Sequence, residues 1–160
     1  MATATPAKGS ATALTITLAS LANSTTAGRA SAAIDNGSDD AIDAELWGQI
    51  TTGTTPTNNS QIEIWLYAAG DGSDYSGGAS GSDAGLTPSN KALLRLAQVI
   101  QVTNTSNVTH KFYIGSVAAL FGGLLPEKWG VWVLNSSGVA LHATAGNHFV
   151  KYRPVKYESA

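Results

Sequence analysis

The sequence predicts an all-β fold, an antiparallel two-sheet sandwich that is jelly-roll-like and has at most one short helical turn. Several segments alternate apolar and polar residues with a period of two, and glycine, asparagine and proline separate these segments. No segment of ten or more residues keeps an apolar helical stripe. Many short strands in such an order are typical of two antiparallel sheets packed face to face.

Strands are expected at nine places along the chain. They are residues 12–19, 29–35, 42–51, 60–68, 92–103, 109–115, 129–135, 138–143 and 147–157. Turn chemistry separates them, for example at Asn36-Gly37 and at Ser136-Ser137-Gly138. The best helical candidate is residues 116–121, which Gly122 and Gly123 end.

The length of 160 residues suits one domain, with an N-terminal arm at residues 1–10 and a sandwich over residues 11–160. The arm is small and polar, and we expect it to become ordered only against another element. A long Gly/Ser loop lies at about residues 70–90. A loop of this length is predicted to be either a contact element or a disordered segment.

Alternation also assigns side chains to strand faces. In residues 61–67 the apolar face is opposite the face that carries Trp65 and Tyr67 together with polar residues. Residues 43–50 place Trp47 on the polar face in the same way. These three aromatic side chains are interpreted as a protein interface, as a sugar-binding platform, or as part of the core.

The strand at residues 129–134 has apolar residues on both faces. Trp129 and Val131 alternate with Trp132 and Leu134, so no polar side remains. We expect this strand to be covered on both faces.

The composition limits the partners. Only 12% of the residues are charged, which favours a subunit packed in an assembly, although a Thr/Ser-rich monomer would share this composition. A net charge of -2 provides no cationic field for nucleic acid or for an anionic membrane, and we expect neither as a partner. The absence of cysteine excludes thiolate chemistry and fits synthesis in a reducing cytoplasm.

Catalytic motifs are incomplete. Residues 78–82 lack the final glycine of the G-x-S-x-G elbow, and Gly70-Asp71-Gly72 lacks the third glycine of a dinucleotide fingerprint. We therefore expect a protein that is not an enzyme, without catalytic residues and without a cofactor.

Two groups of residues could be considered as metal ligands. His142 and His148 flank a turn and could form half of a zinc site, but cross-strand packing is the favoured interpretation. Aspartates cluster before residue 44 and again between residues 71 and 83, where calcium is conceivable. Turn formation by aspartate explains both clusters, so no metal site is predicted.

The charges are unevenly distributed along the chain. Nine of the eleven acidic residues precede residue 84, whereas seven of the nine basic residues follow residue 90. One hypothesis is that acidic loops containing Asp39 and Asp40 contact the basic C-terminal strand of another copy, and intramolecular pairing is the alternative. The candidate interface residues are Trp47, Trp65, Tyr67, Lys151, Arg153, Lys156, Asp39 and Asp40.

A family resemblance runs over roughly residues 12–157. The motifs that carry it are Ala33-Ile34-Asp35-Asn36, Leu46-Trp47-Gly48-Gln49-Ile50, Ile64-Trp65-Leu66-Tyr67, Asp71-Gly72-Ser73-Asp74-Tyr75, the run from Val117 to Pro126, Lys128-Trp129-Gly130-Val131-Trp132-Val133, Ala140-Leu141 and Gly146-Asn147-His148. In these motifs the chain resembles small β-rich virion structural proteins of tailed bacteriophages. No functional residue is carried over from that family.

The resemblance implies a virion component, made in the cytoplasm of a bacterial host and located on the head surface in preference to the tail. The leading expectation is a capsid decoration or cement subunit that binds the major capsid protein as a homo-oligomer, with a trimer favoured. A tail, neck or fibre protein is the structural alternative. A carbohydrate-binding module that stacks sugars on Trp47, Trp65 and Tyr67 is the alternative from another class.

Overall fold

A computed structural model describes residues 4–37 and 40–159. The strands in this part of the chain are β1 (Ala4–Lys8), β2 (Thr12–Ala13), β3 (Gly28–Ala30), β4 (Ile34–Asp35), β5 (Asp43–Thr51), β6 (Ser60–Ala69), β7 (Ala84–Leu86), β8 (Arg95–Val102), β9 (Thr109–Ile114), β10 (Lys128–Ser136) and β11 (Phe149–Ser159).

The strands form two antiparallel sheets. In sheet A, β1 and β2 lie on one side of β11, and β5 and then β9 follow on its other side. In sheet B the order is β7, β3, β10, β6 and β8, with β4 also paired to β10. The predicted all-β, two-sheet sandwich is therefore confirmed.

Helical structure is limited to single 3₁₀ turns. The described residues contain four of them, at Ser76–Gly78, Lys91–Leu93, Ala118–Phe121 and Ala145–Asn147, where the sequence predicted at most one. The turn at Ala118–Phe121 falls inside the predicted helical segment. Gly122 follows it with φ +88°, a conformation that glycine adopts without strain.

Several predicted strands are shorter than expected, and the segment 29–35 forms two separate strands, β3 and β4. Only residues 12–13 of the segment 12–19 form a strand, because the chain then crosses from sheet A to sheet B. The Leu14 amide donates to Val150 of sheet A, and Thr15 accepts from Ala32 beside sheet B. The segment 138–143 contributes only an isolated bridge between Leu141 and Thr52.

The described part of the predicted N-terminal arm is a strand of the same chain's sheet. Residues 4–8 pair antiparallel with residues 155–159, with Lys8 opposite Val155. Most of the β1 side chains are exposed. This end of the chain is therefore ordered by the C-terminal strand.

The Gly/Ser segment between β6 and β8 carries elements of its own. Its strand β7 pairs with β3 and extends sheet B. The Ala68 amide donates to Ser76 Oγ over 3.0 Å, and Arg29 Nε donates to Asp83 Oδ1 over 2.5 Å. These contacts hold the segment against sheet B.

The central strand β10 is buried on both sides, as predicted from its sequence. Trp129, Val131 and Val133 point into the core between the sheets, and Trp132 and Leu134 point outward, yet none of the five is more than 1% exposed. The outward residues pack with Tyr67, Leu94, Tyr75 and Leu86. Sheet B thus has a second apolar layer, which the segment after β6 completes.

Candidate functional site

The outer face of sheet A carries aromatic and cationic side chains from three neighbouring strands. Trp47 on β5 lies opposite Lys151 on β11 and opposite Tyr113 on β9. Gln49 lies opposite Phe149 and Lys111 in the next row of the same face. Side chains two residues apart share a face, so Arg153 also belongs to this surface.

These residues line a shallow groove of about 770 Å³, which we call the sheet-A groove. The residues that line it are Ala11, Trp47, Gly48, Gln49, Lys111, Phe112, Tyr113, Phe149 and Arg153. Tyr113 is 60% exposed, whereas Trp47 and Phe149 are half-buried. The groove therefore presents aromatic surface to solvent between cationic side chains.

Cations lie over the aromatic rings of this face. The Arg153 guanidinium carbon is 5.9 Å from the Trp47 ring centroid, and Lys151 Nζ is 5.3 Å from the Phe149 ring. Such pairs are attractive because the face of an aromatic ring is electronegative. The stacking helps to hold both the rings and the cations in position.

Glu45 anchors one end of the groove. Its carboxylate accepts hydrogen bonds from Lys8 Nζ at 2.5 Å, from the Arg153 guanidinium, and from the Tyr113 hydroxyl at 3.0 Å. The hydrogen bond from Lys8, followed by the one from Arg153, lowers the pKa of Glu45 from 4.5 to about 2. A buried, ionised carboxylate therefore fixes two groove side chains, Arg153 and Tyr113.

The face as a whole is cationic in a chain whose net charge is -2. The cationic side chains on or beside it are Lys8, Lys111, Lys151 and Arg153. Glu45 and Asp43, on the same side of β5, offset two of these four charges. The local excess of positive charge favours an anionic partner.

Trp65 and Tyr67 do not belong to this surface, so the prediction of one aromatic set with Trp47 is wrong. Both lie on the outer face of sheet B, because β5 and β6 belong to different sheets and their outward sides point in opposite directions. Tyr67 is fully buried, and its hydroxyl donates to the Ser31 carbonyl at 2.6 Å. Burial raises the pKa of Tyr67 to about 12.

The Trp65 side chain is half-buried, and it takes part in a polar network that is separate from the sheet-A groove. Its Nε1 donates to Glu63 at 2.6 Å, and Lys91 Nζ lies 4.5 Å from its ring. Lys91 also pairs with Glu63 at 2.6 Å. The side chain is thereby held against sheet B and is not a free platform.

The predicted charged candidates lie at different places. Lys151 and Arg153 are on the groove face, and Lys156 lies further along β11, where β1 pairs with it. Asp40 is exposed in the turn before β5, and Asp39 lies outside the described residues.

Several early acids pair with late bases of the same chain. These ion pairs are Glu45 with Arg153, Glu63 with Lys91, and Asp35 with Lys128. For these residues the intramolecular alternative of the charge hypothesis holds.

The side chains of His142 and His148 make hydrogen bonds within the chain. His148 Nε2 lies 2.8 Å from the His142 carbonyl oxygen, and His142 Nδ1 lies 3.0 Å from Asn147 Nδ2. Asp71 Oδ1 accepts from the amides of Ser73 and Asp74, which makes it a turn residue. In residues 4–37 and 40–159, no three His, Asp or Glu side chains lie close enough together to hold a metal.

Of the nine described residues that line the groove, only Trp47 and Arg153 are among the candidates selected from the sequence. Lys111, Tyr113 and Phe149 alternate with buried residues in their strands, which is the signal for an outward position. Alternation alone does not show that their strands flank the strand of Trp47. That requires the pairing of β5 with both β9 and β11.

Comparison of the chain with protein-family models, with curated proteins and with solved structures gives no significant match. Within the part of the chain that the structure describes, no helix is long and apolar enough to cross a membrane. The sheet-A groove and the residues around it are therefore the features of the molecule that bear on its function.

Proposed function

We propose that the chain is a non-catalytic structural subunit of a protein assembly and that it binds a neighbouring subunit through the outer face of sheet A. One observation carries this proposal. The outer face of sheet B is covered over β3 and β10 by the chain's own Gly/Ser segment, and of the large apolar side chains on this face in the described residues only Leu96 and Val99 of β8 are exposed. The outer face of sheet A instead leaves Trp47, Tyr113 and Phe149 accessible among cations. Tryptophan, tyrosine and arginine are the residue types that dominate binding energy at protein interfaces.

The groove is suited to binding because it is already ordered. Glu45 holds Arg153 and Tyr113, and Arg153 lies over Trp47. Side chains that are immobilised before association lose less conformational entropy when the complex forms. The small charged fraction of 12% also suits a subunit with close neighbours.

The specific form of the proposal rests on the resemblance of residues 12–157 to virion proteins of tailed bacteriophages. In that form the chain is a decoration or cement subunit on the phage head, with the major capsid protein as its lattice. The added interface would stabilise the shell, because a subunit that binds only the assembled state shifts the equilibrium toward it. A position in the tail, neck or a fibre is the structural alternative.

Particles made with and without the chain test this function. We expect particles that lack it to release their DNA at a lower temperature during a heating ramp. Equal release temperatures would contradict the cement role. Electron microscopy of the same particles distinguishes the head from the tail by the position of the additional density.

Carbohydrate binding is the second candidate, and the groove itself favours it. Trp47, Tyr113 and Phe149 lie beside the polar side chains of Gln49 and Arg153, a combination that can stack and hydrogen-bond a sugar. A glycan array would then show binding that Trp47→Ser abolishes. Val99→Ser, on the other sheet, serves as the matched control, and an array without any bound glycan would contradict this candidate.

A further inference from the structure

Acidic side chains gather at one end of the sandwich, where β6 ends and β10 begins. Lys128 pairs in register with Ala69 of β6 and with Asp35 of β4. Glu127 lies against the turn after β6, since a Cβ on Gly72 would come within 2.8 Å of its Oε1. We call Asp35, Asp40, Asp71, Asp74 and Glu127 the acidic end.

The turn with Asp71 and Asp74 is the part of the acidic end that leaves the sheet. Both residues are exposed, and neither belongs to an ion pair among the described residues. The amides of Ser73 and Asp74 donate to Asp71 Oδ1 at 2.9 and 2.8 Å. The turn therefore has a defined shape and presents two carboxylates to solvent.

The acidic end and the sheet-A groove are opposite in charge and lie on different surfaces. The groove occupies the broad outer face of sheet A, and the turn follows the last residue of β6 in sheet B. Charge complementarity of this kind selects partners and speeds their association. Two copies of one chain can satisfy it, because each copy carries both surfaces.

Resting on the proposed function, we infer that the neighbour in the sheet-A groove is a second copy of this chain. The turn from Asp71 to Asp74 of one copy lies against Lys111 of the next, beside Trp47. This contact joins two different surfaces, so it repeats from copy to copy and closes into a ring when the rotation allows. A trimer is a small ring of this type.

Charge reversal in both surfaces tests the contact. Lys111→Glu reverses a groove charge that takes part in no ion pair of the described residues. The combined change Asp71→Asn and Asp74→Lys reverses the charge of the turn. Asparagine at position 71 keeps the side-chain oxygen that accepts the two amide hydrogen bonds of the turn. A third protein carries all three substitutions, and Arg95→Glu on the exposed edge of β8 is the matched control.

Sedimentation velocity of the full chain at ~0.05 M and ~1 M salt measures the association. We expect the wild type to form oligomers that weaken at high salt. Each reversal alone weakens association by about tenfold or more, and the protein with all three substitutions regains it. Arg95→Glu behaves as the wild type, and near-ultraviolet circular dichroism verifies that each variant is folded.

Any of three results would overturn the inference. The wild type could be monomeric at both salt concentrations, the charge reversal in the groove or in the turn could leave the association unchanged, or the protein with all three substitutions could fail to regain association. If the wild type is monomeric but binds to particles in a way that Trp47→Ser abolishes, only the contact between copies is overturned. If the oligomers behave as expected but purified particles do not contain the chain, only the virion role is overturned.

Discussion

The carboxylate of Glu45 and the guanidinium of Arg153 lie directly opposite each other across β5 and β11, on the outer face of sheet A. Arg153 Nε donates to Glu45 Oε2 at 2.9 Å, and Lys8 and Tyr113 bind the other oxygen. This pair joins the N-terminal strand, the C-terminal strand and the groove. The position of the groove cation therefore depends on one acidic side chain.

Replacing Glu45 by glutamine should destabilise the fold. The change removes the charge that Arg153 and Lys8 share, and we expect the free energy of unfolding to fall by about 2 kcal/mol. Urea denaturation measures this loss. Glu127→Gln, at an exposed carboxylate without a hydrogen bond to its side chain in the described residues, should change stability by less than about 0.5 kcal/mol.

Stability should also depend on acid pH through Glu45. Its pKa is about 2 in the folded protein against 4.5 ordinarily, so its contribution is complete above pH 4.5 and is lost as the pH falls toward 2. The wild type should therefore lose more stability than Glu45→Gln between these values. Identical pH profiles in thermal melts would contradict this assignment.

Alternation in the sequence predicted the side-chain faces well wherever a strand was regular. It placed the apolar residues of β6 toward the core, and it indicated that the strand with Trp129 and Trp132 is covered twice. Alternation cannot say which sheet a strand joins. It therefore predicts one polar side for Trp47 and Trp65, although these residues lie on opposite faces of the sandwich.

Two short strands gave no local signal. Ala4–Lys8 and Ala84–Leu86 consist mainly of small or flexible residues, and they become strands because distant partners offer free edges at β11 and β3. The groove could not be predicted from the sequence for a related reason. Tyr113 and Phe149 join Trp47 only through pairing between strands far apart in sequence.

The Tyr67 hydroxyl should ionise only at strongly alkaline pH. Burial raises its pKa from 10 to about 12, so its contribution to stability is present below pH 10 and is lost as the pH rises through 12. Absorbance at alkaline pH should show a late rise, and Tyr67→Phe should reduce its amplitude by the contribution of one tyrosine. A late rise of unchanged amplitude in this variant would contradict the assignment to Tyr67.

Gly130 should not tolerate a larger residue. A Cβ at this position would lie 2.3 Å from Tyr67 Cζ, so the glycine lets the Tyr67 ring cross β10 toward Ser31. We expect Gly130→Ala to cost about 1–3 kcal/mol of unfolding free energy. Gly146→Ala is the control, because no atom lies within 4 Å of the added Cβ, and equal melting temperatures for the two variants would contradict this packing.

The number of copies in purified particles tests the interaction face most directly. Particles are made in a background without the chain and supplied with the wild type, Trp47→Ser or Trp65→Phe, each first shown to be folded. We expect Trp47→Ser to lower the copies per particle by about tenfold or more, because it removes an aromatic contact from the groove, whereas Trp65→Phe retains wild-type occupancy. Equal occupancy by all three proteins, or particles that contain no wild-type chain, would contradict the proposed role of this face.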